Sequence, residues 1–343
     1  MDIDFSEMTY LTNPDALTLK ADYQQFLLSL SGPTIIDISG SDPQKCRVVT
    51  TLLHGNEPSG LIAVHRWLTS QNELPTPATN IRIIICSVEA ACEAPLLTHR
   101  YCPDGLDINR CFNNTTENGY YQRARLIKQA ITEVSPECVI DLHNTPGSAP
   151  AFAVSGVITP EVLSLTSFFC DTIILSNLKI GALMEQPFNC PVLTIECGSS
   201  GDEQSHETAF QGINQLATCQ SIDHYNQETN VDIISKPFRL QLKDNVPLSY
   251  SEHDEGHEGV TLKSAIEQFN FGNARKDQML GWVDEHGLDN LQLYNDAHDN
   301  VLRDYFSLRE NQLVCATNMK IFMATANKSA AMDDCLFYLV KAS

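Results

Sequence analysis

Apolar runs that alternate with amphipathic stretches organise the first two hundred residues of the chain. The runs are apolar at consecutive positions, which is typical of strands buried on both faces of a sheet. They predict strands over 34–39, 47–53, 81–87, 138–142, 151–155, 172–176 and 191–197. The amphipathic stretches predict helices over 15–30, 58–70, 120–134, 160–169 and 203–219. This alternation predicts an α/β fold with a mixed, mostly parallel sheet that helices cover on both faces.

The pattern changes after about residue 221. Short alternating runs follow, which are typical of strands with one face in a core. They lie at 238–242, 312–316, 319–324 and 336–340, with acidic, histidine-containing stretches at 251–259 and 284–300 between them. The sequence therefore predicts an α/β domain over 1–222 and a smaller β-rich C-terminal domain over 223–343.

The composition indicates which classes of partner and which cellular compartment to expect for this protein. The 343 residues include 22 Lys and Arg against 43 Asp and Glu, a formal net charge of −21. Nucleic acid and anionic membranes need a basic surface, so neither is expected as the main partner. The twelve cysteines include no Cys-x-x-Cys pair, and several lie in apolar runs, which is typical of reduced thiols in a core. Because the N-terminus is acidic and no apolar run approaches the ~20 residues of a membrane span, a cytoplasmic protein is expected.

Two histidines directly follow predicted strands. His54 is followed by Glu57 at the start of a predicted helix, and His143 ends a separate strand. If those strands are parallel, both imidazoles reach one edge of the sheet. Two His and one Glu are a common ligand set for catalytic zinc, and they leave a fourth coordination position for water. Asp141 is expected either to orient His143 or to serve the strand end structurally. His206 is expected on the surface of its helix.

A carboxylate and two arginines complete the candidate chemistry. Glu196 interrupts an apolar strand, where a charge is costly unless it has a partner or a task. Beside an activated water it would act as general base and then protonate a leaving nitrogen. Arg100 and Arg110, with Asn109, lie in a loop-like stretch and could bind a carboxylate or a developing oxyanion. Surface arginines paired with nearby aspartates are the alternative interpretation.

Four motifs together resemble the succinylglutamate desuccinylase and aspartoacylase family, zinc hydrolases related to the metallocarboxypeptidases. The motifs are His54-Gly-Asn-Glu57, Asp107-Ile-Asn-Arg110, Asp141-Leu-His143-Asn-Thr and Ile195-Glu196. The resemblance covers about residues 45–200. It implies a zinc-carboxypeptidase-like fold and hydrolysis of the amide bond of an N-acyl amino acid to a carboxylate and a free amine.

The resemblance also implies a role for each polar residue of these motifs. By this resemblance, the ligands of one Zn²⁺ would be His54, Glu57 and His143, and the general base would be Glu196. Arg100 would polarise the scissile carbonyl. A substrate carboxylate would be bound by Asn109 and Arg110.

One departure from the family pattern leaves the substrate open. Members that take a dicarboxylic substrate carry a further arginine shortly before the general-base strand, whereas residues 180–195 here contain no Arg and no Lys. A substrate with one carboxylate is therefore at least as plausible as a dicarboxylic substrate. The alternatives are a metallocarboxypeptidase acting on a short peptide, or a non-catalytic metal-binding module. A small anionic substrate is the expected partner, and a homo-oligomer stays open.

Overall fold

The structure, a computed structural model, describes residues 3–116, 119–176, 179–223, 230–235, 237–295, 297–333 and 335–342. These residues form two compact units. The larger comprises residues 1–144 and 151–233, and the smaller comprises residues 145–150 and 234–343. The division into domains after residue 222 stays a prediction.

One mixed sheet organises the larger unit. Its strands are β1 (Thr9–Thr12), β2 (Thr34–Ile38), β3 (Asp42–Thr51), β4 (Thr79–Ile85), β5 (Val139–Thr145), β6 (Phe152–Ser155), β7 (Thr172–Leu175), β8 (Val192–Ser199) and β9 (Asp232–Ser235). Among the described residues the strand order is β1-β2-β4-β3-β5-β8-β6-β7-β9. The β1–β2, β3–β4, β3–β5 and β6–β7 pairs are parallel, whereas β2–β4 and β6–β8 are antiparallel. The predicted mixed, mostly parallel sheet is confirmed.

Helices cover both faces of this sheet. They are α1 (Ala16–Leu19), α2 (Tyr23–Ser29), α3 (Ser59–Thr69), α4 (Val88–Cys92), α5 (Gly119–Thr132), α6 (Pro160–Ser167) and α7 (Glu203–Thr218). Strand side chains alternate between two hydrophobic cores, so that Val49 packs in one with α2, α3 and α7, while Val48 packs in the other with α5. Burial on both faces is the reason that these strands are apolar at successive positions.

The N-terminal region differs from its prediction. The helix expected over 15–30 is two short helices, because Lys20 adopts a left-handed conformation with φ 61°. Asp15 and Asp22 each accept a hydrogen bond from a backbone N–H of the helix that follows, so each caps its own helix. Strand β1 and helix α4 were not predicted, since each is only four or five residues long.

The smaller unit is rich in β-structure, as predicted. Its strands are β10 (Phe238–Leu242), β11 (Leu248–Ser251), β12 (Val260–Lys263), β13 (Asn273–Ala274), β14 (Met279–Val283), β15 (Leu291–Gln292), β16 (Phe306–Arg309), β17 (Gln312–Cys315), β18 (Met319–Phe322) and β19 (Phe337–Lys341), with helices α8 (Leu302–Tyr305) and α9 (Lys328–Asp333). They form two sheets, ordered β13-β18-β19-β10-β15 and β11-β12-β14-β17-β16. Leu240, Leu262 and Phe337 belong to its hydrophobic core. Among the described residues, none of the helices is long and apolar enough to cross a membrane.

Candidate active site

The candidate residues converge because three neighbouring strands end together. β3 and β5 pair in parallel from Val48–Val139 to Thr51–Leu142, and β8 follows β5 in the sheet. Beyond β3, Leu52 adopts a left-handed conformation with φ 54° although it is fully buried. A bulky residue held there costs about 1–2 kcal/mol, and such strain is found where a fold fixes a functional turn.

A close approach of helix α3 brings Glu57 to the same place. Pro58 caps the helix, and Gly60 lies so near the sheet that a Cβ would come 2.2 Å from Thr51 Oγ1 and 2.9 Å from Leu142 Cβ. Only glycine permits this contact. The start of α3 is thereby held against the ends of both β3 and β5, so that Glu57 faces the two histidines.

Glu57 lies between the two imidazoles. His54 Nδ1 is 2.8 Å from Glu57 Oε1, and His143 Nδ1 is 2.7 Å from Glu57 Oε2. The three side chains are buried, and one ligand atom from each lies within 4.8 Å of the others. The structure therefore brings together the three residues predicted as metal ligands.

The outer nitrogen of each imidazole also meets a carboxylate. His54 Nε2 is 3.0 Å from Asp107 Oδ1, and His143 Nε2 is 2.8 Å from Asp141 Oδ2. Asp141 is itself held by the Thr50 hydroxyl, which donates to its Oδ1 at 2.6 Å. A carboxylate on the far nitrogen is the usual arrangement that orients a metal-binding histidine. The orienting position of Asp141 agrees with the functional interpretation of that residue.

Proton affinities in the cluster are strongly shifted. Burial alone would raise the pKa of Glu57, but His54 and His143 hold it well below its ordinary value. Burial alone would lower the pKa of His143, but the Asp141 and Glu57 carboxylates raise it well above its ordinary value. Both nitrogens of His143 face carboxylates, which favours the charged form of this imidazole.

Glu196 presents an unsatisfied oxygen. Its Oε2 is buried and has no hydrogen-bond partner among the described residues. Burial raises the pKa of this carboxyl to about 7, although the charges of His143, His54 and Arg100 act in the opposite direction. A carboxyl poised near neutral pH can both take up and release a proton.

Arg100 is half-buried and is held by carboxylates of the cluster. Its Nε and Nη2 donate to Asp107 Oδ2 at 3.2 and 3.0 Å, and its Nη1 donates to Glu57 Oε1 at 3.4 Å. Burial alone would raise the pKa of Asp107, but His54 and Arg100 lower it below its ordinary value. Asp107 thus bridges a histidine and the guanidinium, a role that the sequence analysis did not assign although it quoted the motif.

Asn109 and Arg110 lie in a short 3₁₀ turn after Asp107. The Asn109 carboxamide oxygen accepts from the backbone N–H of Leu183 at 2.9 Å. The Arg110 side chain is exposed, and its Nη1 donates to the carbonyl of Asn109 at 2.9 Å. The turn therefore leaves most of the Arg110 guanidinium available to a ligand.

A hydrogen-bond network behind the cluster was not predicted from the sequence. Asn144 is 3% exposed and donates through its backbone N–H to Glu57 Oε2 at 3.2 Å. Its side chain bonds to Ser59 and to the carbonyl of Gly198. Ser59 also bonds to His206, which is half-buried rather than on the surface. The adjacency of Asn144 to His143 in the chain was the available signal.

The residues present fit a divalent metal ion. The set is two imidazoles and one carboxylate, which suits Zn²⁺ better than the harder Mg²⁺. Around it lie the carboxyl groups of Asp107, Asp141 and Glu196 and the guanidinium of Arg100. Buried carboxylates in excess of the nearby cations are costly unless another positive charge is present.

Comparison with protein families finds a similarity within the larger unit. Residues 45–162 match the family model described as the succinylglutamate desuccinylase/aspartoacylase catalytic domain. Over these residues the chain is similar to that family. The match includes His54, Glu57, Asp107 and His143, so the resemblance predicted from the motifs is confirmed. Members of the family remove acyl groups from amino acids. Comparison with curated protein sequences gives no match.

Solved structures share the fold at low sequence identity. Succinylglutamate desuccinylase from Vibrio parahaemolyticus is 14% identical with a TM-score of 0.58, covering 94% of this chain and 96% of that one. The product-bound ectoine utilization protein EutE from Ruegeria pomeroyi is 12% identical with a TM-score of 0.54, covering 91% and 86%. Murine aminoacylase 3 is 16% identical with a TM-score of 0.52, covering 88% and 98%.

Proposed function

We propose that this protein is a zinc-dependent hydrolase that cleaves the amide bond of an N-acyl amino acid. The observation that carries the proposal is the buried Oε2 of Glu196, which has no hydrogen-bond partner among the described residues. The charges of His54, Glu57 and His143 act on the pKa of this carboxyl. A hydrolytic site needs a carboxyl that takes a proton from water and returns it to the leaving nitrogen.

His54, Glu57 and His143 would hold the zinc ion through the atoms that now bond to one another. When bound, zinc makes a water acidic enough to ionise near pH 7 and polarises a carbonyl. Asp107 and Asp141 keep the two imidazoles oriented through their outer nitrogens.

Glu196 carries the proton in this proposal. Its Oε2 accepts the proton of the attacking water, and the same oxygen then donates it to the departing amine. The buried position keeps bulk water from satisfying that oxygen, so the proton stays available for transfer. Arg100 directs its guanidinium at the cluster and would stabilise negative charge that develops on the carbonyl oxygen.

Asn109 and Arg110 would bind the carboxylate of the amino-acid moiety. Arg110 offers an exposed fork of N–H donors, and Asn109 offers its amide end because its oxygen is engaged by Leu183. This gives a local cationic site in a chain of net charge −21.

The substrate proposed here has a single carboxylate. The stretch that lacks Arg and Lys contains Glu185, whose carboxylate accepts N–H groups from Ile180, Gly181 and Ala182. Asn113 also donates to Glu185, which ties this loop to the segment that follows Arg110. Residues 180–195 therefore offer no cationic side chain for a second substrate carboxylate.

The cysteines of the chain bear on the cellular compartment that we propose for the protein. Cysteines such as Cys86, Cys138 and Cys197 are buried thiols. Burial raises the pKa of each of them well above its ordinary value, so they stay protonated and act as core side chains. We place the enzyme in the cytoplasm, where such thiols stay reduced.

A substrate panel with metal removal tests the proposal. N-acyl amino acids with neutral and with acidic acyl groups, and short peptides, are incubated with the zinc-loaded protein, and free amine is measured. We expect release from neutral acyl amino acids, loss of activity with a chelator, and recovery with Zn²⁺. Release from the C-termini of peptides alone would indicate a carboxypeptidase, and no release from any substrate would refute the proposal.

A further inference from the structure

Asn144 uses all of its polar groups to connect three segments of the larger unit. Its Oδ1 accepts from the backbone N–H of Ser59 at 3.0 Å. Its Nδ2 donates to Ser59 Oγ and to the carbonyl of Gly198, both at 2.7 Å. With the backbone bond to Glu57, this one residue joins the end of β5 to the start of α3 and the end of β8.

The pattern of donors and acceptors fixes the orientation of the Asn144 carboxamide. The Ser59 N–H can only donate and the Gly198 carbonyl can only accept, so the carboxamide has one orientation. Ser59 Oγ, which accepts from Asn144, also forms a hydrogen bond with His206 Nδ1 at 2.8 Å. The network therefore continues into α7 and is buried at Ser59 and Asn144.

The same network lies two residues from Glu196 along β8. Gly198 has φ 108°, a conformation that L side chains rarely adopt, and its carbonyl faces Asn144. Glu196 Oε2 has no partner among the described residues to hold it. The backbone of β8 therefore contributes to the position of that carboxyl, and Asn144 is bonded to this backbone two residues away.

We propose that Asn144 is a positioning residue that fixes Glu196 relative to the His54–Glu57–His143 cluster. This inference rests on the proposed function for its kinetic consequence, but its structural content is the bond from Nδ2 to the Gly198 carbonyl. Asn144 contacts Glu57 through its backbone, which a side-chain substitution leaves in place. Two of its three side-chain bonds go to Ser59, two residues from Glu57, so the zinc content of each variant is measured beside its kinetics and should stay at the wild-type value.

The kinetic test is a double-mutant cycle between Asn144 and Glu196. We expect Asn144→Ala to lower kcat by about 10–100-fold with a much smaller change in KM, as for outer residues that orient a site. In a Glu196→Gln background the same change should cost less than about threefold, because the group that Asn144 positions no longer acts. An equal loss in both backgrounds would overturn the inference, since a merely structural role reduces both alike.

A second readout needs no activity. In the metal-free protein, the infrared carbonyl band that disappears in Glu196→Gln reports the titration of Glu196. The midpoint of this titration should lie at about pH 7 in wild type. It should lie at lower pH in Asn144→Ala, because a less firmly held carboxyl is better solvated. An unchanged midpoint would overturn the inference. If wild type hydrolyses no substrate, the proposed function fails, and this measurement alone decides the role of Asn144.

Two further variants serve as control and as substitute. Asn290→Ala removes another buried asparagine whose Nδ2 bonds to Asp284 and Gly259, but in the smaller unit. It should leave the Glu196 midpoint and the kcat unchanged. If Asn144→Ala fails to fold, Ser59→Ala removes the hydroxyl bonded to Nδ2 and should shift the midpoint in the same direction by less.

Discussion

Binding of Zn²⁺ should expel protons from the site at neutral pH. In the metal-free structure His143 Nδ1 and Nε2 face Glu57 and Asp141 at 2.7 and 2.8 Å, and both carboxylates raise the pKa of this imidazole well above its ordinary value. A metal ion can take Nδ1 only after its proton leaves. Glu196, with a pKa of about 7, holds about half a proton at pH 7 and should lose it beside a divalent cation.

The magnitude follows from these two groups. At pH 7 wild type should release at least about one proton from His143 together with about half a proton from Glu196. Glu196→Gln should release about half a proton less. Each proton released makes the apparent zinc affinity rise about tenfold for each pH unit, so affinity increases with pH and falls as the solution becomes acidic.

Titration calorimetry in buffers of different ionisation enthalpy counts these protons directly. The dependence of the observed binding enthalpy on the buffer enthalpy gives the number released, for wild type and for Glu196→Gln at pH 7. If wild type releases no proton, the imidazolium assignment for His143 is wrong. If the two proteins release the same number, Glu196 is not the carboxyl that titrates near neutral pH.

Two further variants test the substrate clamp and the core. Arg110→Gln should raise KM by about 10–100-fold with little change in kcat, because a charged hydrogen bond to the substrate carboxylate is worth about 1.5–3 kcal/mol. An unchanged KM in steady-state kinetics would show that Arg110 does not bind the substrate carboxylate. Ile140→Ala, at a fully buried position of β5, should lower the free energy of unfolding by about 2–5 kcal/mol in chemical denaturation, whereas Val157→Ala at an exposed position should change it by less than about 0.5 kcal/mol.

Much of the fold could be predicted because burial on both faces leaves a strong sequence signal. The runs predicted for β2 to β8 are apolar at consecutive positions, and each overlaps its strand, although β3 begins five residues earlier than predicted, at Asp42. The break at Lys20 could not be predicted in the same way, because a left-handed lysine has no sequence signature. Strand β1 is a short edge strand with exposed positions, including Tyr10, so its hydrophobic pattern is weak.

The convergence of His54, Glu57 and His143 could be predicted because both histidines lie at strand ends. His54 and His143 each follow an apolar run, and parallel pairing of β3 and β5 places both at one edge of the sheet. Contacts made across long sequence separations were inaccessible to this reasoning. Asp107 meets His54 from 53 residues away, and Asn144 meets Ser59 from 85 residues away. Such partners depend on how loops return to the sheet, which periodicity does not encode.

Glu196 is proposed to move a proton at a metal site that other residues hold. Zinc content and amine release should be measured together on wild type and Glu196→Gln, purified and reloaded in the same way. Glu196→Gln should bind one zinc ion per chain as wild type does, and should lose at least about 10²-fold in kcat. A variant that keeps both its zinc and the wild-type rate would contradict the account.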